Sequence, residues 1–145
     1  MRRLLTCLVV FTIAADVAPV AAQVEFRKGP GPALGPFTEA VRVGDLLFVS
    51  GTIGTDSSGK LVAGGIGPET KQTLENIKAA LVRNGLDMDR VVKCTAFLAD
   101  IAEWPAMNVV YTTFFPNNKP ARTAAGGMQL VRQARVEIEC IAAMR

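Results

Sequence analysis

The chain has 145 residues, of which half are hydrophobic, with 16 Lys and Arg against 13 Asp and Glu and no histidine. This length supports one domain with one core, and the net charge of +3 is too small to favour a nucleic-acid-binding surface. The absence of histidine excludes catalytic triads that use it and zinc sites of the His-Glu-x-x-His type, and it removes the commonest metal ligand.

Residues 1–22 have the pattern of a cleavable signal peptide. Two arginines precede an apolar run from Leu4 to Ala15, and small residues end at Ala22, so cleavage is expected before Gln23. The apolar run is too short to span a bilayer, although an uncleaved anchor or a misassigned start codon remain alternatives. The expected mature protein is therefore one domain, residues 23–145, that is periplasmic or secreted and has no membrane contact once the leader is removed.

Two cysteines remain in that mature domain, Cys94 and Cys140. Each falls in an alternating strand pattern, on the same side as aliphatic residues, so we interpret them as two small buried hydrophobic side chains. An oxidising compartment makes a disulfide an alternative, but their distance is not visible in a sequence.

The N-terminal part of the domain is predicted to begin with a loop, because residues 23–36 are rich in Gly and Pro. Two strands follow, in residues 37–43 and 46–51, joined by a short hairpin at Gly44-Asp45. A long polar turn comes next, within which Leu61-Val62 can make a brief edge pairing.

A first amphipathic helix is predicted between Pro68, placed at the first helical position, and Gly85 at the C-terminal end. Its apolar residues Leu74, Ile77 and Leu81 share one face. The next strand, residues 90–100, has little polar character, so we expect it to be central and covered on both faces.

A second helix is predicted after Asp100 and Glu103, which form an N-terminal capping pattern. Four residues repeat at helical spacing after it and indicate a core-facing stripe: Met107, Val110, Tyr111 and Phe114. Asn108 lies off this stripe.

Two strands complete the chain, in residues 121–128 and 135–143, and are expected to form a hairpin. In the second, Glu137 and Glu139 point away from the face of the neighbouring aliphatic residues. Arg132 and Arg135, near the turn, are interpreted as solvated charges. The whole order indicates an α+β fold with two helices on one face of a sheet. The uncovered sheet face then predicts a subunit interface.

Arg122 is the one charge in the segment PARTAAGGMQL, residues 120–130. A buried guanidinium keeps its proton and therefore needs an anionic partner. That partner is either a carboxylate of the protein, such as Glu137 or Glu139, or a carboxylate of a ligand.

Several segments together resemble the Rid family of RidA/YjgF-type reactive-intermediate deaminases. They are GPFTEAVRVGDLLFVSG, ETKQTLENIKAALVRNGLDMDRVVKCTAFLAD, MNVVYTTFF, PART and VEIECIA, and they extend from Gly35 to the C-terminus. The resemblance implies a chorismate-mutase-like mixed sheet, a homotrimer with clefts between subunits, and hydrolysis of 2-iminopropanoate or 2-iminobutanoate to the 2-keto acid and ammonia. It implies no cofactor and no metal.

The resemblance also assigns roles to residues. Arg122 matches the arginine that binds the substrate carboxylate, which suits a guanidinium because its fork forms two parallel hydrogen bonds. Glu137 matches the glutamate that acts on the attacking water and the leaving nitrogen. The substrate pocket is expected to include Phe37, Ser50, Gly51 and Asn108.

Two departures from the family pattern concern that pocket. Phe37 stands where family members often have tyrosine, so a hydroxyl group is lost. Ala124, in the glycine-rich run TAAGGMQL, stands where cysteine or another small residue is common, so the pocket shape and the substrate can differ. A non-catalytic trimer that binds small carboxylates is the alternative function. A nuclease or translation inhibitor is a further one, but the small charge and the few aromatic residues disfavour it.

Overall fold

One six-stranded sheet organises the residues that the computed structural model describes, 23–30 and 36–145. The predicted signal peptide, residues 1–22, lies outside these residues. The strands are β1 (Val24–Arg27), β2 (Ala40–Val43), β3 (Leu46–Ile53), β4 (Val91–Leu98), β5 (Ala121–Ala125) and β6 (Val136–Ala143). The helices are α1 (Ile66–Arg83) and α2 (Trp104–Tyr111).

The strand order is β1-β2-β3-β6-β4-β5. Every neighbouring pair is antiparallel except β4 and β5, which run parallel because α2 carries the chain across from one to the other. The expected α+β architecture, a mixed sheet with two helices on one face, is confirmed.

The core lies between this sheet and the two helices. Leu74, Ile77 and Leu81 of α1 are fully buried, as their spacing predicts. From α2, Met107 and Tyr111 are buried, whereas Val110 is only half-buried. None of the described helices is long and apolar enough to cross a bilayer.

The ends of α1 differ slightly from the prediction. The helix begins at Ile66, two residues before Pro68, after Gly65 with a φ of 85°. At the other end Gly85 has a φ of 75°, a conformation that favours glycine, so it terminates the helix as expected. The brief pairing predicted near Leu61 is present as a bridge to Thr55.

The N-terminal loop prediction was wrong for Val24–Arg27, which forms the edge strand β1 and pairs with β2. The four side chains of β1 are mostly exposed, so backbone pairing and not burial places the strand there. A hydrophobic pattern does not report such an edge strand, and the Gly- and Pro-rich stretch after it hides its end.

The hairpin predicted for the last two strands was also wrong. β4 lies between β5 and β6 and pairs with both. A parallel neighbour for β4 needs a crossover connection, and α2 supplies it. Arg122 is therefore one whole strand away from β6.

The sheet face opposite the helices is open in the single chain. Phe26 is 72% exposed and Val92 is 46% exposed, and Phe48 is also solvent-facing. The expectation that β4 is covered on both faces is thus wrong for one subunit, because its second face carries the partly exposed Val92, Thr95 and Phe97. An apolar face of this kind suits contact with another chain.

Cys94 and Cys140 are joined by a disulfide, so the interpretation as two separate hydrophobic side chains was wrong, although both are buried. They lie directly opposite each other on β4 and β6, with a Cα–Cα distance of 4.1 Å. The bond links two neighbouring strands in the centre of the sheet.

The capping pattern before α2 is only partly realised. The side chain of Asp100 accepts a hydrogen bond from the backbone N–H of Ala102 and caps a short 3-10 turn that leads into α2. The side chain of Glu103 does not bond to the backbone N–H of Asp100, as a capping box requires, but forms an ion pair with Arg135. Arg135 is therefore not simply solvated, and Arg132 also has a partner, because its guanidinium donates to the carbonyl of Gly59.

Candidate functional site

Arg122 lies on the helix-covered side of β5, the edge strand. Its register partner is Cys94, whose side chain faces the core, so both side chains point to the same face. The guanidinium carbon Cζ is 4.4 Å from the ring centroid of Tyr111 and 5.8 Å from that of Trp104. Cationic groups are attracted to the faces of aromatic rings at such distances.

In the described part of the chain, Arg122 forms no salt bridge, with Glu137, Glu139 or any other carboxylate. The internal ion pair considered as an alternative is therefore not formed within this subunit. The two rings lie next to the guanidinium carbon, and its N–H groups make no bond to a carboxylate of the described residues, so they are available to a planar anion.

Asn108 lies on α2 between these two aromatic residues. Trp104, Asn108 and Tyr111 are four and three residues apart, so they share one side of the helix. The Asn108 Oδ1 and the Tyr111 hydroxyl are buried and have no hydrogen-bond partner among the described residues. We name Trp104, Asn108, Tyr111 and Arg122 the arginine cluster.

The phenol of Tyr111 is neutral at physiological pH. Burial raises the pKa of Tyr111 to about 12, while the positive charge of Arg122 acts in the opposite direction. The side chain is only 5% exposed, and its ring also contacts Phe115 at a centroid distance of 4.8 Å. Tyr111 therefore presents an uncharged ring to the guanidinium.

A second group of predicted residues gathers around Glu137 on the open face of the sheet. A side chain at residue 51 would collide with the Glu137 carboxylate and lie 3.2 Å from its Cδ, so the carboxylate rests on the bare Cα of Gly51. The register of β3 and β6 shifts between Val49 and Thr52, which places Gly51 in this irregular stretch.

Ser50 and Phe37 belong to the same region. The Ser50 hydroxyl donates to the backbone carbonyl of Thr38 at 2.6 Å, and the Ser50 backbone N–H donates to the carbonyl of Glu39. These bonds fix the segment that carries Phe37, which is 61% exposed. We name Phe37, Ser50, Gly51 and Glu137 the glutamate cluster.

The two clusters do not meet within one chain. Arg122 on β5 and Cys140 on β6 are both register partners of Cys94 on β4, which lies between them. Glu137 lies three residues before Cys140 on β6, and its side chain points to the opposite face of the sheet from Arg122. Two strand spacings and three residues along a strand separate their Cα atoms by about 14 Å. The sequence-based placement of Arg122 next to Glu137 on a hairpin was therefore wrong for a single subunit.

Sequence reasoning assigned Tyr111 to the core and gave Trp104 no role, although both contact Arg122. The helical spacing of Trp104, Asn108 and Tyr111 is the signal that could have found them. Glu69 was also missed, although it is buried and its Oε1 accepts from the backbone N–H groups of Arg135 and Val136, at 2.6 and 3.2 Å. It holds the beginning of β6, just before Glu137.

The glycines of the segment TAAGGMQL, which departs from the family pattern after Arg122, have a structural reason. A side chain at Gly126 would overlap the backbone of Ile101, whose N and Cα lie 2.8 Å from the position of its Cβ. Gly127 follows with a φ of 78°. The chain leaving β5 therefore packs directly against the turn before α2, and Ala124 is half-buried beside the core.

One surface depression of the described residues, about 540 Å³, lies between α1 and the end of α2, and another, about 250 Å³, lies on the open sheet face beside Phe48 and Glu139. Neither includes Arg122 or Glu137. Among residues 23–30 and 36–145, no group of three His, Cys, Asp or Glu side chains could hold a metal ion.

Comparison with known proteins gives a consistent result. Residues 28–144 match the sequence profile of the family described as Endoribonuclease L-PSP. A human relative, named 2-iminobutanoate/2-iminopropanoate deaminase, is 44% identical over 116 residues, which cover 79% of this chain and 84% of that protein.

Solved structures agree with the fold. The yeast protein YEO7 superposes with a TM-score of 0.80 at 34% identity, covering 85% of this chain and all of that one. Escherichia coli TdcF, solved with bound serine, superposes with a TM-score of 0.73 at 31% identity, covering 83% of this chain and 96% of that one. The match therefore includes nearly the whole of residues 23–145.

Proposed function

Because the chain belongs to the Endoribonuclease L-PSP family of RidA/YjgF-type proteins, we propose that it hydrolyses small 2-imino acids, such as 2-iminopropanoate and 2-iminobutanoate, to 2-keto acids and ammonia. The observation that carries this proposal is the state of Arg122. Its guanidinium is held by aromatic rings and has no carboxylate partner in the described part of the chain. It is therefore available for the carboxylate of a substrate.

The chemistry assigned to the two clusters is a direct hydrolysis. Arg122 binds the carboxylate with two parallel hydrogen bonds and fixes the plane of the substrate. Glu137 accepts a proton as water adds to C2 of the imine, and the same proton is returned to nitrogen. Glu137 then carries the second proton of the water from the C2 hydroxyl to the same nitrogen, so the C–N bond breaks with ammonia as the leaving group and C2 becomes a ketone. The reaction consumes one water and needs no oxidant or reductant.

The active form is proposed to be a homotrimer with one site at each subunit interface. The arginine cluster and the glutamate cluster lie on opposite faces of the sheet, so one chain alone cannot place both on one substrate. Contact between the open sheet face of one subunit and the β5 edge of another is able to do so. The exposed apolar residues of that face, including Phe26 and Phe48, support such a contact.

The test is a coupled assay of purified residues 23–145. An amino-acid oxidase generates 2-iminopropanoate or 2-iminobutanoate in place, and the appearance of the keto acid is followed. The wild type is expected to accelerate hydrolysis above the buffer rate. Arg122→Ala should lower kcat/KM by about 10²-fold or more, because the substrate charge loses its partner. Glu137→Gln should lower kcat by about 10²-fold.

Glu139→Gln is the matched control, because Glu139 lies on the same strand and face as Glu137. It is expected to keep the wild-type rate. Acceleration that survives both Arg122→Ala and Glu137→Gln contradicts the assignment of the site. A wild type that binds 2-oxobutanoate without accelerating hydrolysis supports the non-catalytic binding protein instead.

We also propose that the domain works outside the reducing cytosol. Its support is the disulfide between Cys94 and Cys140, together with the signal-peptide pattern of residues 1–22. Cell fractionation followed by N-terminal sequencing is expected to find a chain that begins at Gln23 and migrates as an oxidised species without reductant. A cytoplasmic chain that begins at Met1 with two free thiols would contradict the proposal.

A further inference from the structure

The guanidinium of Arg122 lies next to two aromatic rings of α2. Its Cζ is closer to the ring of Tyr111, at 4.4 Å, than to that of Trp104, at 5.8 Å. Tyr111 is buried and contacts Phe115, which is itself almost fully buried. The guanidinium thus rests on a ring that is anchored in the core.

The hydroxyl of Tyr111 does not explain the position of this ring. It is buried and has no hydrogen-bond partner among the described residues. A buried polar group without a partner is costly, so the hydroxyl does not stabilise the ring in this position. The contacts of the ring itself are those with Phe115 in the core and with the guanidinium of Arg122.

A free arginine side chain has many rotamers, and ordering it upon ligand binding costs free energy. A ring face that attracts the guanidinium plane removes part of that freedom before the ligand arrives. The N–H groups of Arg122, which bind no carboxylate in the described part of the chain, then remain available to the ligand. This arrangement suits a planar carboxylate that binds edge to edge.

We propose that Tyr111, assisted by Trp104, is a positioning residue that holds the guanidinium of Arg122 in the orientation that binds the substrate carboxylate. This inference rests on the proposed function only in taking Arg122 as the carboxylate anchor. Tyr111 acts through Arg122, by the face of its ring, and takes no part in proton transfer.

The test is a double-mutant cycle read by binding. The dissociation constant of 2-oxobutanoate is measured by calorimetry for the full 23–145 protein. Tyr111→Phe keeps the ring face and is expected to change it by less than about threefold. Tyr111→Leu removes the face and is expected to weaken binding about 5- to 30-fold. In the Arg122→Ala background, the dissociation constants of the Tyr111→Phe and Tyr111→Leu variants should differ by less than about twofold.

Phe114→Leu is the matched control. It removes a half-buried aromatic ring just after α2 and outside the arginine cluster, so 2-oxobutanoate should bind as to wild type. If Tyr111→Leu does not fold, Trp104→Leu replaces it, because Trp104 is 41% exposed and tolerates truncation. That variant is expected to weaken binding about two- to fivefold, since its ring is farther from Cζ.

Equal losses in the wild-type and Arg122→Ala backgrounds would overturn the inference, because a general packing defect does not depend on Arg122. A loss in Tyr111→Phe as large as in Tyr111→Leu would also overturn it and assign the role to the hydroxyl. The failure of the proposed function is a separate result. The proposed function fails if the wild type binds 2-oxobutanoate but does not accelerate hydrolysis. In that case the double-mutant cycle, which measures only binding, still tests the role of Tyr111.

Discussion

Gly51 shows how a single missing side chain can shape the site. The Glu137 carboxylate occupies the space that a Cβ at residue 51 would need. We expect Gly51→Ala to displace this carboxylate and to lower kcat at least 10-fold, since a misplaced base transfers protons poorly. The measurement is the imine hydrolysis assay, combined with thermal unfolding to confirm that the protein remains folded.

Gly67→Ala is the control for this prediction. Gly67 lies in α1, where an added Cβ would meet only the Val110 side chain at 4.0 Å. This variant should keep the wild-type kcat and should not lose stability, because alanine has a higher helix propensity than glycine. Equal activity of both alanine variants would contradict the claim that the missing side chain of Gly51 leaves the space for the Glu137 carboxylate.

Tyr111 also predicts how stability responds to alkali. Its pKa is about 12 in the folded protein, against 10.0 as the ordinary value, so the unfolded chain loses this proton first as pH rises. The stability that Tyr111 contributes through this difference in pKa is fully present below pH 10 and is lost between pH 10 and about 12. Tyr111→Phe should therefore show a smaller decline in unfolding free energy over this interval, measured by urea denaturation.

The chain contains a single tyrosine, so absorbance at 295 nm reports the titration of Tyr111 alone. Arg122→Ala removes a charge that favours the phenolate and should move that titration to still higher pH. A midpoint near pH 10 in the folded protein would contradict the buried position of the phenol.

At this scale the sequence could predict residue types but not their partners. Arg122, alone among small and apolar residues, indicates a cation that needs a partner. Tyr111 falls at the helical spacing of the apolar residues of α2. This spacing is the same whether the ring packs in the core or against a guanidinium. Only the packing of α2 against β5 distinguishes the two cases.

The element that carries Glu137 begins under backbone strain. Arg132 and Gln133 precede β6 with φ values of 56° and 59°, a left-handed conformation that is costly for residues with a Cβ. Arg132 is tied to the Gly59 carbonyl, but the Gln133 side chain has no such bond among the described residues. We expect Gln133→Gly to raise the free energy of unfolding by about 0.5–1 kcal/mol, as relief of strain exceeds the added entropy of the unfolded chain.

Chemical denaturation of Gln133→Gly beside Gln133→Ala checks this prediction. Alanine keeps the Cβ and should give no gain, so a gain in both variants would point to the loss of the glutamine side chain instead. Activity is expected to stay unchanged, because Glu69 continues to hold the first residues of β6.

Element boundaries could be predicted where one face is buried. The spacing of Leu74, Ile77 and Leu81 identified α1, and the alternation through Glu137 and Glu139 identified both faces of β6. The order of strands in the sheet could not be predicted in the same way. Nothing in the residues of β5 distinguishes an antiparallel partner from the parallel partner that the α2 crossover provides.

At the scale of the whole molecule, the separation of the clusters predicts complementation between inactive subunits. Mixing Arg122→Ala with Glu137→Gln chains should restore part of the activity, because an interface in a mixed oligomer can combine an intact Arg122 with an intact Glu137. Unfolding and refolding the two together, then measuring imine hydrolysis, tests this. Neither variant refolded alone should recover.

Activity that remains absent in verified mixed oligomers would contradict a site shared between subunits. Sequence patterns predicted the uncovered face of the sheet, because two amphipathic helices cover only one side. They could not predict that Arg122 and Glu137 point to opposite sides of it, since the side of Arg122 depends on the register of β5 against β4, which pairs Arg122 with the core-facing Cys94.

The position of β4 between the strands of Arg122 and Glu137 also has a kinetic consequence. If each working centre needs two chains, the rate per milligram of enzyme becomes a function of dilution. It should stay constant while subunits are associated and fall steeply below the concentration at which they part. Added 2-oxobutanoate, by bridging the two contributing surfaces, should move that threshold to lower concentration.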